Sequence, residues 1–439
     1  MRAHPLVDRI RMHDPIVRTG KVTAISQTAI LADGPDVELG TICRIVMGEE
    51  GGRDLETEVV AIDRDGVTLV PLVGDGAVSL GARVVADRGD ATVRVGDGVL
   101  GRVVDAFGDP LDGGGPIKAE AQARLQAPVP SPLERRSPSE VFRTGLRAID
   151  GCLTLGIGQR IGVVAPSGAG KTTLISQIVR QAEADVTLLC LVGERGREVE
   201  AIWSEIQASS RVAKVTIVAA TSDQSAPMRV RAAHYAMALA DYWRAQGKHV
   251  LFVVDSLTRL AMALREIGLA AGEPPTQRGY TPNVFAEIPR FVERCGALCR
   301  GGAITSVMTV LSEGEEMNDP LSEMIKSVLD GHILLSRELA ERGHFPAIDM
   351  PRSISRQAMD LVNSRHLVAA RQVRELITRF EASRTMIEAG LYTPGSSAIT
   401  DRAIERQEAI ARFLRQDRRE SFSLEETVVG LEQAAGSAR

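Results

Sequence analysis

Aromatic side chains are scarce in this chain and make up only 3% of its 439 residues. Positive charge is not in excess either, because 52 Lys and Arg residues stand against 57 Asp and Glu residues, a formal net charge of -5. Proteins that bind nucleic acids broadly use clustered basic residues for the phosphates and aromatic rings for the bases. The two shortages together predict that nucleic acid is not a partner.

Long apolar runs and paired cysteines are missing as well. No stretch reaches the roughly 18 apolar residues of a membrane-spanning helix, and the N-terminus has no apolar run of signal-peptide length. The five cysteines form no CxxC pair, although Cys295 and Cys299 could share a helix face and hold a metal. Free thiols in a reducing compartment are the preferred interpretation. We therefore expect a cytoplasmic protein.

The N-terminal part of the chain, to about residue 90, consists of short apolar segments separated by turn signals. Asp33-Gly34 and Asp65-Gly66 are two of these signals, and Asp-Gly pairs favour the tight turns of hairpins. Evenly spaced short strands are typical of a small β-barrel. A proline-rich stretch at 116–140 follows and predicts a crossing over the surface between domains.

The pattern changes at about residue 145, where apolar strands begin to alternate with amphipathic helices. The predicted strands are 161–165, 186–192, 215–219, 250–254, 303–311 and 332–335. Such strands with helical crossovers predict a parallel sheet covered on both faces, an α/β fold. After about residue 359 the pattern is helical only, with helices predicted at 373–389 and 403–415 and a break between them at residues 394–397. We predict a barrel domain at 1–90, an α/β core at 91–360 and a helical domain at 361–439.

A glycine-rich segment, Ala165-Pro-Ser-Gly-Ala-Gly-Lys-Thr172, fits the phosphate-binding P-loop pattern, with Ala165 where glycine is frequent. A strand precedes it and a helix follows it, as the motif requires. Lys171 would reach the β- and γ-phosphates, and the Thr172 hydroxyl would bind Mg²⁺. The predicted nucleotide contacts are Ser167, Gly168, Ala169, Gly170, Lys171, Thr172 and Thr173. An ordinary glycine-rich turn is the alternative.

Two carboxylates follow other predicted core strands. Asp255 ends an apolar strand, where a P-loop protein has the aspartate that orders the Mg²⁺ shell; Asp255 or Ser256 could instead cap the next helix. Glu194 lies at the end of another strand, on the same rim as the P-loop, and could polarise an attacking water. It could equally belong to a surface turn and pair with Arg195 and Arg197, and spacing does not separate these readings.

The motifs taken together resemble one family, the ATPases of flagellar and injectisome type III secretion systems, which is related to the catalytic subunit of rotary F-type ATP synthases. The residues that carry the resemblance are the P-loop, Gly145-Leu-Arg-Ala-Ile-Asp-Gly151, Gly193-Glu-Arg-Gly-Arg-Glu198, Asp255-Ser-Leu-Thr-Arg-Leu-Ala261, Arg278-Gly-Tyr-Thr-Pro282, Asp330-Gly-His-Ile333, Gly343-His-Phe-Pro-Ala-Ile-Asp349 and Ser353-Ile-Ser-Arg356. The resemblance spans nearly the whole chain. It implies a β-barrel, a RecA-like P-loop core, a helical C-terminal domain and a homohexameric ring.

The resemblance also implies roles for single residues. Glu194 matches the carboxylate that activates water, and Lys171, Thr172 and Asp255 match the ligands of phosphate and Mg²⁺. Arg356 matches an arginine finger that enters the neighbouring subunit's site, and Phe345 matches an aromatic that stacks on adenine. On pattern alone, Arg356 could be an exposed residue near a helix start, and Phe345 could pack beside Pro346.

The implied function is hydrolysis of ATP with Mg²⁺ in a type III protein export apparatus, flagellar in preference to injectisome. The enzyme would release substrates from chaperones and unfold them at the export gate, peripheral to the inner membrane. The implied partners are export-gate membrane proteins, substrate–chaperone complexes and a stator-like regulator docked on Leu6, Ile10 and Met12. Tyr280 could face the ring interior or lie in a plain surface loop.

Three other functions remain as alternatives. A hexameric RNA translocase like the terminator Rho has a similar P-loop region and a run like 255–261, and the acidic balance and scarce aromatics count against it. The catalytic subunit of a rotary ATP synthase is disfavoured by the shorter C-terminal region. A scaffold that binds nucleotide without hydrolysis is disfavoured because Glu194, Lys171 and Asp255 are all present.

Overall fold

The computed structural model describes residues 17–47, 54–73, 77–88, 92–312 and 319–436. The positions proposed for a regulator, Leu6, Ile10 and Met12, lie outside the described residues. Within them the chain forms an N-terminal β-barrel, a central α/β core and a group of C-terminal helices. This order confirms the predicted fold class, whereas the domain limits at 90 and 360 stay a prediction.

Six antiparallel strands close the barrel. They are β1 (Thr19–Ile25), β2 (Ile30–Ala32), β3 (Ile42–Ile45), β4 (Leu55–Ile62), β5 (Val67–Pro71) and β6 (Arg83–Arg88). They are hydrogen-bonded in the order β1-β2-β5-β4-β3-β6, and the ends of this order also pair. Because side chains alternate between the two faces of a strand, one set fills the interior, including Ile45, Leu69 and Val84.

Short strands connect the barrel to the core. They are β7 (Thr92–Val95), β8 (Val103–Val104), β9 (Ala121–Arg124), β10 (Arg135–Arg136), β11 (Val141–Phe142) and β12 (Leu155–Gly156). Strand β8 joins the edge of the central sheet beside residues 217–218. The proline-rich stretch predicted as a crossing is mostly exposed, as expected, but it also contributes β9 and β10.

The central sheet is mostly parallel and runs in the order β20-β19-β13-β18-β16-β14-β15-β8. Its further strands are β13 (Arg160–Pro166), β14 (Val186–Val192), β15 (Val215–Ala220), β16 (His249–Asp255), β17 (Gly296–Leu298), β18 (Ala303–Ser312), β19 (Gly331–Leu334) and β20 (Ile354–Ser355). All six predicted core strands are present to within a residue or two. Since β13, β14 and β16 are parallel, their carboxyl ends meet at one edge, where ligands of open α/β sheets bind.

Helices cover both faces of the sheet. In chain order they are α1 (Arg147–Cys152), α2 (Lys171–Gln181), α3 (Gly196–Gln207), α4 (Ala226–Ala245), α5 (Leu257–Ala270), α6 (Pro282–Glu293), α7 (Pro320–Val328), α8 (Arg337–Glu341) and α9 (Ala358–Leu361). One apolar cluster joins the sheet to α4 through α7. A second cluster joins the opposite face to α1, α2 and the C-terminal helices.

Three longer helices form the C-terminal group: α10 (Ser364–Glu388), α11 (Ala398–Leu414) and α12 (Leu424–Ala435). Their buried side chains, such as Leu376, Phe413 and Leu431, pack with Ile149 of α1. Helix α10 begins earlier than the apolar pattern from residue 373 indicated, because the Asn363 side chain accepts the N–H of His366 and caps its first turn. The predicted break in helical structure at residues 394–397 lies between α10 and α11.

Candidate functional site

The P-loop connects β13 to α2 at the carboxyl edge of the sheet. Gly168 and Gly170 have positive φ angles of 83° and 88°, which a residue with a Cβ adopts only under strain. The first helical hydrogen bond runs from Leu174 N to Gly170 O at 3.0 Å. The N–H groups that precede Leu174 in this helix have no intrahelical acceptor, and they form the positive end of the helix. The loop is therefore built to hold an anion rather than to make an ordinary turn.

The loop residues differ in burial. Ala169 is buried, and its N–H donates to Pro166 O at 3.3 Å, which closes the turn from inside. Ser167, Gly168 and Thr172 are exposed at the mouth of the loop, and Thr173 is half-buried. The side chain of Ala165, where the frequent glycine is absent, is buried within the sheet. The alanine there is consequently compatible with the fold of the loop.

The Lys171 ammonium lies between two buried carboxylates. It donates to Asp255 Oδ1, and its Nζ lies 3.3 Å from Glu194 Oε1. Asp255 and Glu194 are 2% and 3% exposed, so little water solvates their charges. Thr309, on β18, donates its hydroxyl to Asp255 Oδ1 at 2.6 Å. The three residues that sequence motifs predicted separately are thus brought into one cluster.

Arg259, on the first turn of α5, holds Glu194 from the other side. Its Nε and Nη2 lie 3.1 Å from the two Glu194 oxygens, and Nη1 donates to Gly193 O at 2.5 Å. The alternative of a surface turn with Arg195 and Arg197 is therefore wrong for Glu194. Burial raises the pKa of Glu194 above its usual value, while Lys171 and Arg259 act in the opposite direction. A carboxylate in this environment is a stronger proton acceptor than an ordinary glutamate.

The sequence left open whether Asp255 or Ser256 caps α5 and whether Asp255 serves a metal ion instead. The Ser256 hydroxyl accepts the N–H of Arg259 and caps α5, so Asp255 is free of that duty. The Asp255 carboxylate instead faces Lys171 and Thr309. Carboxylate and hydroxyl oxygens are the ligands that Mg²⁺ prefers. Asp255 and the exposed Thr172 hydroxyl at the start of α2 therefore fit a Mg²⁺ ion accompanying a polyphosphate.

Phe345 borders the P-loop. A Cβ placed on Gly170 would lie 3.5 Å from the Phe345 ring, so the ring and the loop are in close contact. The ring is 42% exposed and is one wall of a small cavity of about 20 Å³. The other walls include Thr173, Gln177 and Arg418. An aromatic wall that remains partly open beside a phosphate loop is suited to stacking on a base.

Arg356 is not brought to this cluster. It follows β20, and its N–H donates at 3.1 Å to the carbonyl oxygen of Asp330. Asp330 in turn accepts the N–H of Arg160, the first residue of β13. Lys171 comes after the last residue of β13, and a seven-residue strand spans about 20 Å. Arg356 is therefore exposed at the edge of the sheet opposite to the P-loop of its own chain.

Sequence reasoning missed two members of the cluster, Arg259 and Thr309. Arg259 stands four residues after Asp255, one helical turn into α5, and that spacing could have identified it. Thr309 is a buried hydroxyl in an otherwise apolar strand, which is a weaker signal. Tyr280, for which the interior of the subunit ring or a plain surface loop was expected, is 8% exposed, and its aromatic ring packs edge-on against Phe285.

Two other features, a membrane-spanning helix and a larger group of metal-binding side chains, are not found in the described parts of the chain. Over those ranges no helix combines the length and the apolarity needed to cross a bilayer. The same residues contain no cluster of three or more His, Cys, Asp or Glu side chains arranged to hold a metal. Cys295 is buried and Cys299 is exposed, and both are free thiols.

Comparisons with known proteins find similarity along nearly the whole chain. The ATP synthase alpha/beta family, nucleotide-binding domain, matches residues 145–355, and the T3SS EscN ATPase C-terminal domain matches residues 362–433. The flagellum-specific ATP synthase of Bacillus subtilis is 41% identical over 437 residues, 100% of both chains. The type 3 secretion system ATPase of Sinorhizobium fredii is 43% identical over 95% of this chain and 92% of its own.

Solved structures give the same result. The assembled ATPase EscN of the enteropathogenic E. coli type III secretion system is similar with a TM-score of 0.90 and 40% identity, over 95% of this chain and 100% of that chain. The same ATPase in complex with its central stalk EscO gives a TM-score of 0.86 and 39% identity, with the same coverage. The similarity thus extends through barrel, core and C-terminal helices.

The cluster predicts a pH-dependent loss of stability when Lys171 is removed. In Lys171→Ala, Asp255 and Glu194 are left with Arg259 alone, and breaking a buried ion pair costs about 3 kcal/mol. Without Lys171 the folded-state pKa of Glu194 rises further above its value in the unfolded chain. A group that binds its proton more tightly in the folded state stabilises that state less as the pH rises, so the variant is less stable at high pH. We expect urea midpoints without nucleotide to differ from wild type more at pH 8 than at pH 5.5. The exposed Lys214→Ala is the control, and an equal deficit at both pH values would contradict the prediction.

Proposed function

The chain belongs to the family of flagellar and type III secretion ATPases, and we propose that it hydrolyses ATP at the cluster formed by Lys171, Glu194 and Asp255. The observation that carries this proposal is the Lys171 ammonium held between two buried carboxylates at the mouth of the P-loop. The family's nucleotide-binding domain makes the chain an ATPase of a protein export apparatus. The residue roles and the cellular task below are our proposals.

The first role is that of Lys171, whose ammonium changes partners when ATP enters. Phosphate oxygens compete with Asp255 and Glu194 for it, because a polyphosphate brings more negative charge than either carboxylate. The N–H groups in the first turn of α2, which have no intrahelical acceptor, bind the remaining oxygens. Once free of Lys171, the Asp255 carboxylate and the Thr172 hydroxyl would be ligands of Mg²⁺, and the ion would neutralise negative charge on the phosphates.

Glu194 acts as the base that orients and deprotonates the attacking water. Its raised pKa makes it a better proton acceptor near neutral pH than an ordinary glutamate. Arg259 contacts both of its oxygens and keeps the carboxylate at a fixed angle. Fixed orientation of this kind supplies much of the rate in phosphoryl transfer, where little covalent chemistry falls to the protein.

Arg356 completes the site of a neighbouring subunit in a homohexamer. Its place at the edge opposite to its own P-loop supports a role in trans, since an exposed guanidinium there can meet the P-loop edge of the next copy. The assembled state of the similar ATPase EscN supports a ring. A guanidinium supplied in trans neutralises transition-state charge and is worth about 10³-fold or more in rate.

Substitutions in the cluster should separate binding from hydrolysis. Glu194→Gln keeps the shape of the side chain and, through its amide oxygen, one of the two contacts to Arg259, so we expect ATP binding to persist while the hydrolysis rate falls by about 10³-fold. Lys171→Ala should lose both, because the phosphates lose their charged ligand. Phosphate release and equilibrium binding of a fluorescent ATP analogue measure the two properties. Turnover like that of wild type in either variant would contradict the site.

The trans role of Arg356 can be tested by mixing two inactive proteins. Arg356→Ala subunits keep an intact P-loop, and Lys171→Ala subunits keep an intact arginine, so a mixed ring has some complete interfaces. We expect each variant to be nearly inactive alone and the mixture to recover measurable ATP hydrolysis. Arg352→Ala, an exposed arginine on the same segment, is the control and should keep wild-type turnover. A mixture as inactive as its components would count against the interface.

The cellular task that we propose is flagellar protein export, with release of substrates from chaperones and their unfolding at the export gate. The match to the flagellum-specific ATP synthase of Bacillus subtilis, which covers all of both chains, supports the flagellar branch. The complex of EscN with its central stalk supports a stalk or regulator as a partner. We place the enzyme in the cytoplasm at the inner membrane, beside membrane proteins of the gate. Nucleic acid has no part in this function.

Deletion of the gene in its source organism tests this task. We expect hook and filament proteins to disappear from the culture medium, and motility with them. Wild-type protein should restore both, and Glu194→Gln should not, because hydrolysis is lost while folding and binding remain. Loss of other secreted proteins with normal motility would indicate the injectisome branch. Turnover stimulated by RNA would favour a translocase instead.

A further inference from the structure

The main chain of Arg356 is fixed to the amino-terminal end of β13, the strand that leads to the P-loop of the same subunit. Its N–H donates to Asp330 O at 3.1 Å. The Asp330 carboxylate contacts the Arg160 guanidinium at 3.0 and 3.1 Å and accepts Arg160 N at 2.9 Å. Because the guanidinium of Arg356 is exposed, the contacts of its backbone decide where the side chain starts.

Strand β20, which ends one residue before Arg356, lies close against β19. Ser355 is paired with Gly331 across the two strands. A Cβ on Gly331 would clash with the carbonyl oxygen of Ile354, so a residue with a side chain there would push β20 away. The motif at 330–333, for which the proposed chemistry has no use, thus sets the distance between Arg356 and the central sheet.

Gln159 joins this strand to the turn that precedes β13. The residue is fully buried. Its Oε1 accepts Gly156 N at 2.8 Å, and its Nε2 donates to Ser355 Oγ at 3.0 Å. The Ser355 hydroxyl in turn donates to Thr154 O at 2.9 Å. Both ends of the carboxamide are used, so the side chain has a single orientation.

The backbone of Gln159 is itself held in place. Its N–H donates to Gly156 O and its carbonyl oxygen accepts the N–H of Ser306, both at 3.0 Å. The hydrogen bond from Gln159 to Ser355, which we name the link, therefore runs from a fixed point of the core to the residue next to Arg356. A buried donor that loses its acceptor is costly, so the link resists rotation of the end of β20.

We propose that Gln159 is a positioning residue for the arginine that acts in the neighbouring subunit: its hydrogen bond to Ser355 sets the direction in which Arg356 leaves β20. The inference rests on the proposed function, since it takes Arg356 to act in trans. Its consequence is a one-sided defect. Loss of the link weakens what the subunit offers its neighbour and leaves its own phosphate contacts, at Lys171 and Thr172, intact.

Two variants remove the link from its two ends. Gln159→Leu keeps the bulk of the side chain and loses its hydrogen bonds, and Ser355→Ala loses only the hydroxyl. We expect kcat to fall about tenfold or more in each, because a displacement of about 1 Å in a catalytic group can cost about 10²-fold. The KM for ATP should stay within about twofold. Ser355→Ala keeps the contact to Gly156 and carries the test if Gln159→Leu folds poorly.

Mixed rings show which side of the subunit is impaired. Either link variant mixed with Lys171→Ala should hydrolyse ATP severalfold faster than the sum of its components, because its own P-loop then receives a correctly held arginine. Mixed with Arg356→Ala it should gain nothing, since the arginine available is its own. A subunit that is merely unstable would respond alike to both partners.

Thr305→Val is the matched control. Thr305 lies on β18 and is fully buried, and its hydroxyl accepts Gly158 N at 2.8 Å. The variant therefore removes a hydrogen bond from the same turn, on the side of β18 instead of β20. We expect it to respond alike to the two partners. Thermal unfolding of all the variants measures how far each is destabilised.

Three results would overturn the inference. One is a kcat like that of wild type in both link variants. Another is an equal response to the two partners, with recovery in both mixtures or in neither, which would place the defect elsewhere than at the arginine. The third is the one-sided defect in Thr305→Val, which would trace it to a looser turn.

The mixture of Lys171→Ala with Arg356→Ala separates this inference from the proposed function. If those two proteins fail to complement each other, the trans role of Arg356 and the inference fall together. If they complement each other and the link variants respond equally to both, the inference alone is wrong.

Discussion

The charge balance around Lys171 is the constraint on which the rest of the site depends. Two carboxylates with almost no exposure, Asp255 and Glu194, cannot both stay ionised unless cations lie against them. Lys171 and Arg259 supply those cations, and the four residues come from the P-loop, two strand ends and the first turn of α5. The cluster is therefore stable only when the parallel sheet brings these ends together. Its ion pairs are also the ones that Lys171 would exchange for contacts with a polyphosphate.

The same sheet that gathers the cluster keeps Arg356 away from it. Parallel strands place loops after β13 at one edge, whereas the antiparallel turn into β20 returns the chain to the other edge. The ion pair between Arg160 and Asp330, with contacts of 3.0 and 3.1 Å, fixes this return. A subunit built this way offers a phosphate loop on one edge and a guanidinium on the other. Such a surface suits head-to-tail contacts in a ring, which close by rotation.

The sequence could reveal what depends on local patterns. The P-loop, the core strands and the position of Asp255 follow from residues close together in the chain, because turn chemistry and strand hydrophobicity are local. The roles of Arg356 and Phe345 came from family resemblance instead. The roles of Thr309 and Gln159 could not be found, since they come from partners far away in sequence, Asp255 and Ser355. The start of α10 was misplaced because one cap, Asn363, outweighed the apolar periodicity.

The scarcity of aromatic residues bears on the proposed stacking of a base on Phe345. With so few rings in the chain, Phe345 has no second aromatic among the residues that line its cavity, where Arg418 and Gln177 stand instead. A single ring must then be held accurately, because a planar base gains stacking energy only at the right spacing and tilt. Hydrogen bonds hold the Phe345 main chain, because its carbonyl oxygen accepts the N–H of Gln416, whose side chain bonds to Gly145 and Arg147. Three side chains of α2 also donate to the backbone of residues 417–420, so the C-terminal helices are tied to the P-loop helix and to the Phe345 main chain at once.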